Sequence, residues 1–359
     1  MPSSPFYSRR EVLRTLGVSL TSLALPITSL AEEESADYSK RLIARVWAEK
    51  IAAKHKLNLN WILETLAKAR HVMTSKKTMD RSTEKTSKPV KNWTNHKNLM
   101  VTEERIEKGV RFMRTQAAAL EKAEGLWEVP PLILTAIIGI ETIYGKSQGR
   151  YRAIDVLATL SFDHERRAEY FQSELEAFFV LCAKSEVNPL TVQSSFAGAI
   201  GMPQFMPSNI LRYGFDLDGD GKINIRYSAA DAIGSTAKFL KDAGWDPKLP
   251  VEWPCRANGF HAADLNSGGI AANTTLQNLL DAGVEPLTLV EAKPTTPALL
   301  IDLPYIEADG TKSVHWCIGT VNFATLLKYN RSYFYAQSVY ELSEAIEEKL
   351  NAADPMLFF

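Results

Sequence analysis

The feature that most constrains the fold is an almost uninterrupted aliphatic run, PPLILTAIIGIE, at residues 130–141. Pro130 and Pro131 favour the start of a helix, and Gly145 is a typical place for it to end. Because apolar side chains occur on nearly every face, this helix is expected to be buried on all sides. Glu141, the one charged residue of the run, would then be a carboxyl group held away from water.

Burial of Glu141 has two interpretations. Loss of hydration disfavours the charged carboxylate and raises its pKa. A carboxylic acid that stays protonated near neutral pH is suited to general acid catalysis, particularly to the cleavage of a glycosidic bond. The structural alternative is that Glu141 pairs with a buried arginine, for which Arg166 and Arg167 are candidates. The run alone does not decide between the two.

The whole chain has the pattern of a mainly helical (α+β) protein with a small β-rich insertion. Apolar residues follow helical spacing over residues 38–72, whereas residues 74–98 are polar, basic and nearly free of aliphatics, which predicts a long loop or arm. Short β-prone runs such as PALLIDLPYI and VHWCIG are separated by Gly, Pro and Asn. The predicted parts are an export signal (1–31), an N-terminal helical region (32–128), a helical core (129–246), a small β-rich domain (247–318) and a C-terminal helical segment that returns to the core (319–359).

The first 31 residues are expected to be a cleavable export signal. SRREVLR is a short basic region, TLGVSLTSLALPITSLA is apolar, and small residues precede EEES. The apolar run is too short for a membrane anchor, and no cysteine follows it, so a lipoprotein is not expected. The pair Arg9–Arg10 resembles a twin-arginine signal. Removal changes the formal charge from −1 to −3, because the segment holds three arginines and one glutamate. Neither value points to nucleic acid as a partner.

Three cysteines, Cys182, Cys255 and Cys317, allow one disulfide in an oxidising compartment. Cys255–Cys317 is the expected pair, because Cys182 lies on the apolar stripe of a predicted helix. The alternative is that all three residues are reduced, buried thiols.

Two further stretches carry groups suited to holding a sugar. SSFAGAIGMPQFMPS (194–208) contains Ser195 and Gln204 among glycines, which let a ligand approach the backbone closely. Taken alone, it is also consistent with a tight structural loop. NFATLLKYNRSYFYA (322–336) contains an aromatic and amide set that could stack on and hydrogen-bond a sugar, although an ordinary amphipathic helix has the same pattern. The members of this set are Tyr329, Asn330 and Tyr335.

The run DLDGDGKIN (216–224) resembles the first part of an EF-hand calcium loop, with hard oxygen ligands at alternate positions and Gly221 at the sharp turn. Tyr227 occupies the place of the bidentate glutamate, so a regular EF-hand is excluded. An empty Asp/Gly turn and a Na⁺ site are the alternatives, and a lone irregular loop argues against a calcium-responsive regulator. The first predicted ligands are Asp216, Asp218, Asp220 and the carbonyl oxygen of Lys222.

In this order and spacing, the helix with Glu141 and the two sugar-binding stretches resemble the lytic murein transglycosylase B family. The likeness includes ATLSFDHERRAEYF (158–171) and DAIGSTAKFLKDAGW (231–245). It therefore runs from about Arg105 to Trp245 and resumes at residues 319–340. It implies a lysozyme-like helical core flanked by a helical domain and a small β-domain. It also implies cleavage of the β-1,4 bond between N-acetylmuramic acid and N-acetylglucosamine in peptidoglycan without water, which leaves a 1,6-anhydromuramic acid end.

The resemblance implies a role for each candidate residue. Glu141 would protonate the leaving glycosidic oxygen and, once ionised, take the proton of the sugar's own C6 hydroxyl. Ser195 and Gln204 would hold the N-acetyl and neighbouring sugar groups, while Arg166 and Arg167 would face sugars or peptide carboxylates. The residues that would close the cleft around the scissile bond are Tyr329, Asn330 and Tyr335.

The resemblance also adds Asp231 to the calcium ligands. It implies no organic cofactor, a monomer that acts on peptidoglycan in the periplasm, and cell-wall synthesis proteins as further partners. A hydrolytic muramidase is an alternative, but it needs a second carboxylate. The candidates Glu165, Glu169 and Glu174 lie on a polar helix face and are expected to be solvated. A non-catalytic peptidoglycan-binding scaffold is the other alternative, although such a protein has no need of a buried acid.

Overall fold

A computed structural model describes residues 37–83, 92–257, 265, 269–307 and 309–353. The α-helices are, in chain order, α1 (Leu42–His55), α2 (Leu59–Ala67), α3 (Met73–Thr83), α4 (Trp93–Met100), α5 (Glu103–Thr115), α6 (Ala117–Trp127), α7 (Pro131–Thr142), α8 (Ala153–Phe162), α9 (Ala168–Lys184), α10 (Pro207–Tyr213), α11 (Ala229–Ala243), α12 (Leu276–Asp281), α13 (Val321–Tyr329) and α14 (Tyr333–Ala353). A 3-10 helix, Tyr38–Lys40, precedes them. The mainly helical fold predicted from the sequence is confirmed.

The strands are β1 (Tyr151–Arg152), β2 (Gln193–Ser194), β3 (Glu252–Ala257), β4 (Thr274–Thr275), β5 (Val284–Pro286), β6 (Pro297–Ile306) and β7 (Lys312–Gly319). Strands β1 and β2 form a small antiparallel sheet, and the other five form a sheet of order β4-β6-β7-β3-β5. In the long pair β6–β7, Leu299 lies opposite Gly319 and Ile306 opposite Lys312. The larger sheet therefore forms where the sequence has its short β-prone runs.

Helix α7 lies in the interior, as its composition predicts. Every residue from Ile133 to Gly139 is buried, and helices α5, α6, α11 and α14 pack against it. Burial of a Leu or Ile side chain stabilises a protein by about 1.5–3 kcal/mol, so this run contributes strongly to the core. The helix ends at Thr142, before the expected stop at Gly145, because Ile143 adopts a left-handed φ of 52°.

The three cysteines are free, so the expected Cys255–Cys317 disulfide is wrong. Cys255 lies opposite Trp316 on β7, and Cys317 is therefore one residue out of register with it. Because successive side chains of a strand point to opposite faces, the two thiols lie on opposite sides of the sheet. Cys255 packs in a small cluster with Leu279, whereas Cys317 belongs to the main core.

The polar stretch 74–98 contains helical structure where its composition predicts a loop or arm. Helix α3 covers its beginning and α4 its end, while residues 84–91 lie outside the described residues. Trp93, the first residue of α4, is 1% exposed, and its ring meets that of Phe334 on α14 with centroids 5.5 Å apart. Burial of this one large side chain fixes a helix whose other residues are mostly polar.

Glu174 on α9 is buried, which corrects its expected solvated position. Its carboxylate accepts hydrogen bonds from the backbone N–H of Ser208 at 3.0 Å and from the Ser208 hydroxyl at 2.7 Å. The first N–H groups of a helix lack partners within it and favour negative charge. Glu174 therefore caps α10 from the neighbouring helix. Glu165 and Glu169 are exposed, as expected.

The described residues between 37 and 353 form one compact unit, which contains the predicted core, β-rich and C-terminal parts. The predicted export signal at 1–31 lies outside the described residues. Within the described ranges, no single helix has the length and apolar composition needed to cross a membrane. Helices α6 and α7 meet that criterion only as a pair, and a bend of 115° separates them.

Candidate active site

Glu141 lies on the last turn of α7, and its side chain is partly exposed. The protein around its carboxyl group excludes most water, and this burial raises the pKa of Glu141 to about 7. The hydroxyl of Tyr335, near the start of α14, lowers the pKa of Glu141, because its interaction favours the ionised carboxylate. That hydroxyl is buried and makes no well-aligned hydrogen bond to any described residue. Burial is therefore the larger effect on Glu141.

Two tyrosines form a wall beside Glu141. The ring of Tyr329, the last residue of α13, stacks on that of Tyr335, with centroids 6.0 Å apart and 12° between the planes. The Tyr329 hydroxyl donates to the carbonyl oxygen of Pro203 at 2.5 Å. Burial and the charge of Glu141 raise the pKa of both hydroxyls, which stay protonated. Asn330 follows α13 directly and is exposed.

A tight hairpin at residues 200–205 lies next to these tyrosines. Its two ends exchange backbone hydrogen bonds, and Gln204 takes a left-handed φ of 51°. The Gln204 side-chain amide donates at 2.9 Å to a backbone carbonyl of the same hairpin. The hydroxyl of Thr142 donates to the carbonyl oxygen of Met202 at 2.9 Å, which fixes the hairpin to the residue after Glu141. The sequence patterns miss Thr142, although a hydroxyl residue directly after the acid is a usable signal.

Ser195 lies in the turn between β2 and this hairpin, and its side chain is partly exposed. Its Oγ accepts hydrogen bonds from the backbone N–H groups of Ala197 and Ala199, each at 3.2 Å. The hydroxyl proton is not used by these two contacts. A Cβ atom built on Gly149 would lie 2.1 Å from the carbonyl oxygen of Ser194, so only glycine permits this close approach of the chain.

Arg166 and Arg167 are exposed on the approach to α9. The guanidinium of Arg167 lies over the ring of Tyr170, 4.7 Å from its centroid. Burial is the largest influence on the pKa of Glu141. Since both arginine side chains are exposed, neither is the buried arginine that the ion-pair interpretation of Glu141 requires, and that interpretation is wrong.

Three of the predicted calcium ligands converge between α10 and α11. One carboxylate oxygen from each of Asp216, Asp218 and Asp231 lies within 4.8 Å of the others. Asp231 is buried in the first turn of α11, whereas Asp218 is exposed in the loop. Asp220 lies outside this cluster, and its Oδ1 accepts a hydrogen bond from the N–H of Lys222 at 2.8 Å.

The chemistry of this acidic loop fits a hard cation. Burial and the neighbouring charge of Asp218 raise the pKa of Asp231. Burial also opposes ionisation of Asp216, but backbone N–H groups of the loop outweigh it and lower the pKa of that residue. Ca²⁺ binds clusters of carboxylate and carbonyl oxygens. A cation between the three carboxylates would relieve their mutual repulsion.

The central helix of the helical core ends with a half-buried glutamate, and a stacked tyrosine pair lies beside it. With the small sheet, this fold matches the lysozyme-like class of lytic transglycosylases. The chain matches the Transglycosylase SLT domain family over residues 40–344 and belongs to that family. It is 34% identical over 315 residues to the membrane-bound lytic murein transglycosylase B of Escherichia coli (strain K12). The match covers 86% of this chain and 84% of that relative.

Solved structures agree with this assignment. The catenated lytic transglycosylase SltB1 from Pseudomonas aeruginosa has a TM-score of 0.81 at 30% identity, covering 87% of this chain and 99% of that one. The Escherichia coli lytic transglycosylase Slt35 in complex with calcium has a TM-score of 0.76 at 32% identity, covering 88% and 96%. The chain is therefore a lytic transglycosylase, an enzyme that acts on peptidoglycan, and the predicted lysozyme-like fold is confirmed.

Proposed function

We propose that Glu141 is first the general acid and then the general base of the transglycosylase reaction. The observation that carries this role is the half-buried position of Glu141 at the end of α7. Exclusion of water there raises the pKa of its carboxyl group to about 7, which makes it a proton donor near neutral pH. In the first step its proton goes to the glycosidic oxygen while the bond from that oxygen to C1 of N-acetylmuramic acid breaks. In the second step the carboxylate takes the proton of the C6 hydroxyl, whose oxygen bonds to C1. The acid is restored and no water is consumed.

The neighbouring polar groups are proposed to hold the sugar. Ser195 has a hydroxyl proton that its two backbone contacts do not use, and Gln204 lies in the hairpin fixed beside the end of α7. These two side chains would bind the N-acetyl group and its neighbours. The exposed Arg166 and Arg167 would face more distant sugars or peptide carboxylates. The proposed cleft walls are Tyr329, Asn330 and Tyr335.

A hydrolytic muramidase would use a second carboxylate, either to activate water or as a nucleophile. Among the described residues, the influences on the pKa of Glu141 are burial and Tyr335, and neither is a carboxylate. A nucleophilic carboxylate about 5–5.5 Å from the acid, as in retaining glycosidases, would raise the pKa of that acid further. The influences on Glu141 therefore favour ring closure by the C6 hydroxyl over a retaining hydrolase with a carboxylate nucleophile.

Mass spectrometry of fragments released from purified peptidoglycan tests the assignment. The native chain is expected to release anhydro ends, which are lighter than reducing ends by one water molecule. Glu141→Gln is expected to lower release by about 10²- to 10⁴-fold, because an amide cannot donate or accept the required proton. The control Glu169→Gln changes an exposed residue on α9 and should release fragments as the native chain does.

Three other outcomes would contradict the assignment. Reducing ends from the native chain would mean that water is the acceptor and that the protein is a hydrolase. No release by either chain, with binding to peptidoglycan retained by both, would mean a non-catalytic binder. Anhydro ends that are still released by Glu141→Gln would show that another residue is the general acid.

We also propose that the acidic loop holds a structural Ca²⁺, with Na⁺ as the alternative ion. The convergence of three carboxylates supports this site, as does the solved calcium complex of Slt35. The ion would stabilise the loop that precedes α11 and take no part in proton transfer. The proposed ligands are Asp216, Asp218, Asp220, Asp231 and the carbonyl oxygen of Lys222.

The enzyme is further proposed to act in the periplasm. Its substrate, peptidoglycan, lies outside the cytoplasmic membrane, and the basic and apolar segment at residues 1–31 has the pattern of an export signal. Action as a monomer and cooperation with cell-wall synthesis proteins stay predictions from the sequence.

A further inference from the structure

The backbone directly after Glu141 has a conformation that L-residues rarely adopt. Ile143 has φ 52° and ψ 54°, and Tyr144 has φ 56°. A left-handed conformation is a genuine outlier for a β-branched residue. Two such residues in succession persist only where the surrounding structure over-determines them. Specific contacts with the surrounding structure therefore hold this turn in its conformation.

The side chain of Tyr144 lies in a notch between α5 and α7 that two glycines create. A Cβ atom built on Gly139 of α7 would lie 2.5 Å from the Tyr144 hydroxyl oxygen and 2.7 Å from Cζ. A Cβ atom built on Gly109 of α5 would lie 2.6 Å from the same oxygen. The hydroxyl donates to the carbonyl oxygen of Arg105 at 3.0 Å, and the ring packs on Phe112 with centroids 5.3 Å apart.

The other side of the turn is fixed by Thr142. Its hydroxyl donates to the carbonyl oxygen of Met202 and accepts from the N–H of Gly145 at 3.0 Å. The turn that ends α7 is thus attached to α5 through Tyr144 and to the hairpin at residues 200–205 through Thr142. Glu141 lies immediately before both attachments.

We infer that Tyr144 is a positioning residue for the reaction: its ring, seated in the Gly109–Gly139 notch, fixes the end of α7 and thereby the direction and burial of Glu141. The inference rests on the proposed role of Glu141 as acid and base. Displacement of a catalytic group by about 1 Å lowers a rate by up to about 10²-fold. Without the ring in its notch, the turn would relax and the Glu141 carboxyl would gain hydration.

The test compares Gly139→Ala and Tyr144→Leu with the native chain. The added methyl group of Gly139→Ala would expel the ring from the notch, and Tyr144→Leu removes it. Both variants are expected to lower kcat by about 10- to 100-fold on soluble glycan oligomers, with little change in KM. Tyr144→Phe keeps the ring and loses only the bond to Arg105, so it should restore most of the rate lost in Tyr144→Leu.

The pH profile separates positioning from a general loss of structure. Activity falls as pH rises through the pKa of Glu141, because the acid must be protonated. Among the described residues, the ionisable side chains that face Glu141 are Tyr329 on α13 and Tyr335 on α14. Arg105 on α5 lies beside Tyr144. Since a better hydrated carboxyl group has a lower pKa, the alkaline limb should move to lower pH in Gly139→Ala and Tyr144→Leu.

The matched control is Gly125→Ala, which makes the same substitution within α6. No atom lies within 4 Å of a Cβ built on Gly125, so this variant should keep the native kcat and pH profile. The inference is overturned if Gly139→Ala and Tyr144→Leu lose activity only in proportion to their unfolded fraction, with an unmoved alkaline limb. Glu141→Gln is measured alongside. If it stays active, the proposed role of Glu141 is wrong; if it is inactive while both turn variants match the native chain, only the positioning role is wrong.

Discussion

Glu141 is a proton donor near neutral pH because the protein around its carboxyl group excludes most water and raises the pKa to about 7. Its place at the end of an aliphatic run predicts burial and a raised pKa, because both follow from local composition. Its neighbours could not be predicted from that run. Tyr329 and Tyr335 lie far along the chain, and only the packing of α13 and α14 near the end of α7 brings them to the acid. The alternative of an arginine partner fails for the same reason, since the sequence does not show that Arg166 and Arg167 lie on the exposed surface.

The raised pKa of Glu141 also affects stability. The folded state binds the proton more tightly than the unfolded chain, whose carboxyl has the ordinary pKa of 4.5. This contribution is fully present below that value and is lost as pH rises through about 7. Glu141→Gln carries no such ionisation. At about 1.4 kcal/mol for each pKa unit, the variant should be more stable than the native chain by about 3 kcal/mol well above neutral pH, and nearly equal to it near pH 4.5.

Denaturant unfolding of both chains at acidic and alkaline pH measures this difference. Glu169→Gln is the matched control, because it makes the same substitution at an exposed position of α9. A stability difference between Glu141→Gln and the native chain that is the same at both pH values would show that Glu141 ionises normally in the folded protein.

At the scale of helices and strands, hydrophobic periodicity predicts where buried faces occur but not what polar residues contact. The central helix α7 and the β-prone runs follow from pattern alone. Helix α4 does not, because the burial of Trp93 against α14 outweighs a polar composition. Strand register likewise decides whether Cys255 and Cys317 can form a disulfide, because a displacement of one residue places their side chains on opposite faces of the sheet.

Glu174 gives a prediction at this scale, because it joins two helices. Glu174→Ala removes both hydrogen bonds to Ser208 and leaves the first turn of α10 without its cap. The free energy of unfolding should fall by about 1–3 kcal/mol. Glu169→Ala, on the exposed face of the same helix, should change it by less than about 0.5 kcal/mol. The measurement is the urea midpoint with an unchanged denaturant slope; equal midpoints for the two variants would contradict the cap.

At the scale of the whole molecule, the acidic loop connects several helices that surround α7. It joins α10 to α11, whose first turn supplies Asp231. The ammonium group of Lys122 on α6 donates to the carbonyl oxygen of Leu217 in the loop at 2.6 Å. Because α6 and α11 both pack against α7, an ion held in this loop would stabilise the core as well as the loop itself.

Calcium should therefore raise the unfolding temperature of the entire compact unit. A ligand that binds only the folded state at about a hundred times its Kd stabilises a protein by about 2.7 kcal/mol, which corresponds to a rise of several degrees in a chain of this size. Thermal unfolding with added Ca²⁺ and with a chelator measures the effect. Asp218→Asn weakens an exposed ligand and should lose most of the rise, whereas Asp242→Asn, an exposed residue paired with Lys238, should keep it. An equal unfolding temperature of the native chain in both conditions would exclude the ion, and a native response of Asp218→Asn would exclude this ligand set.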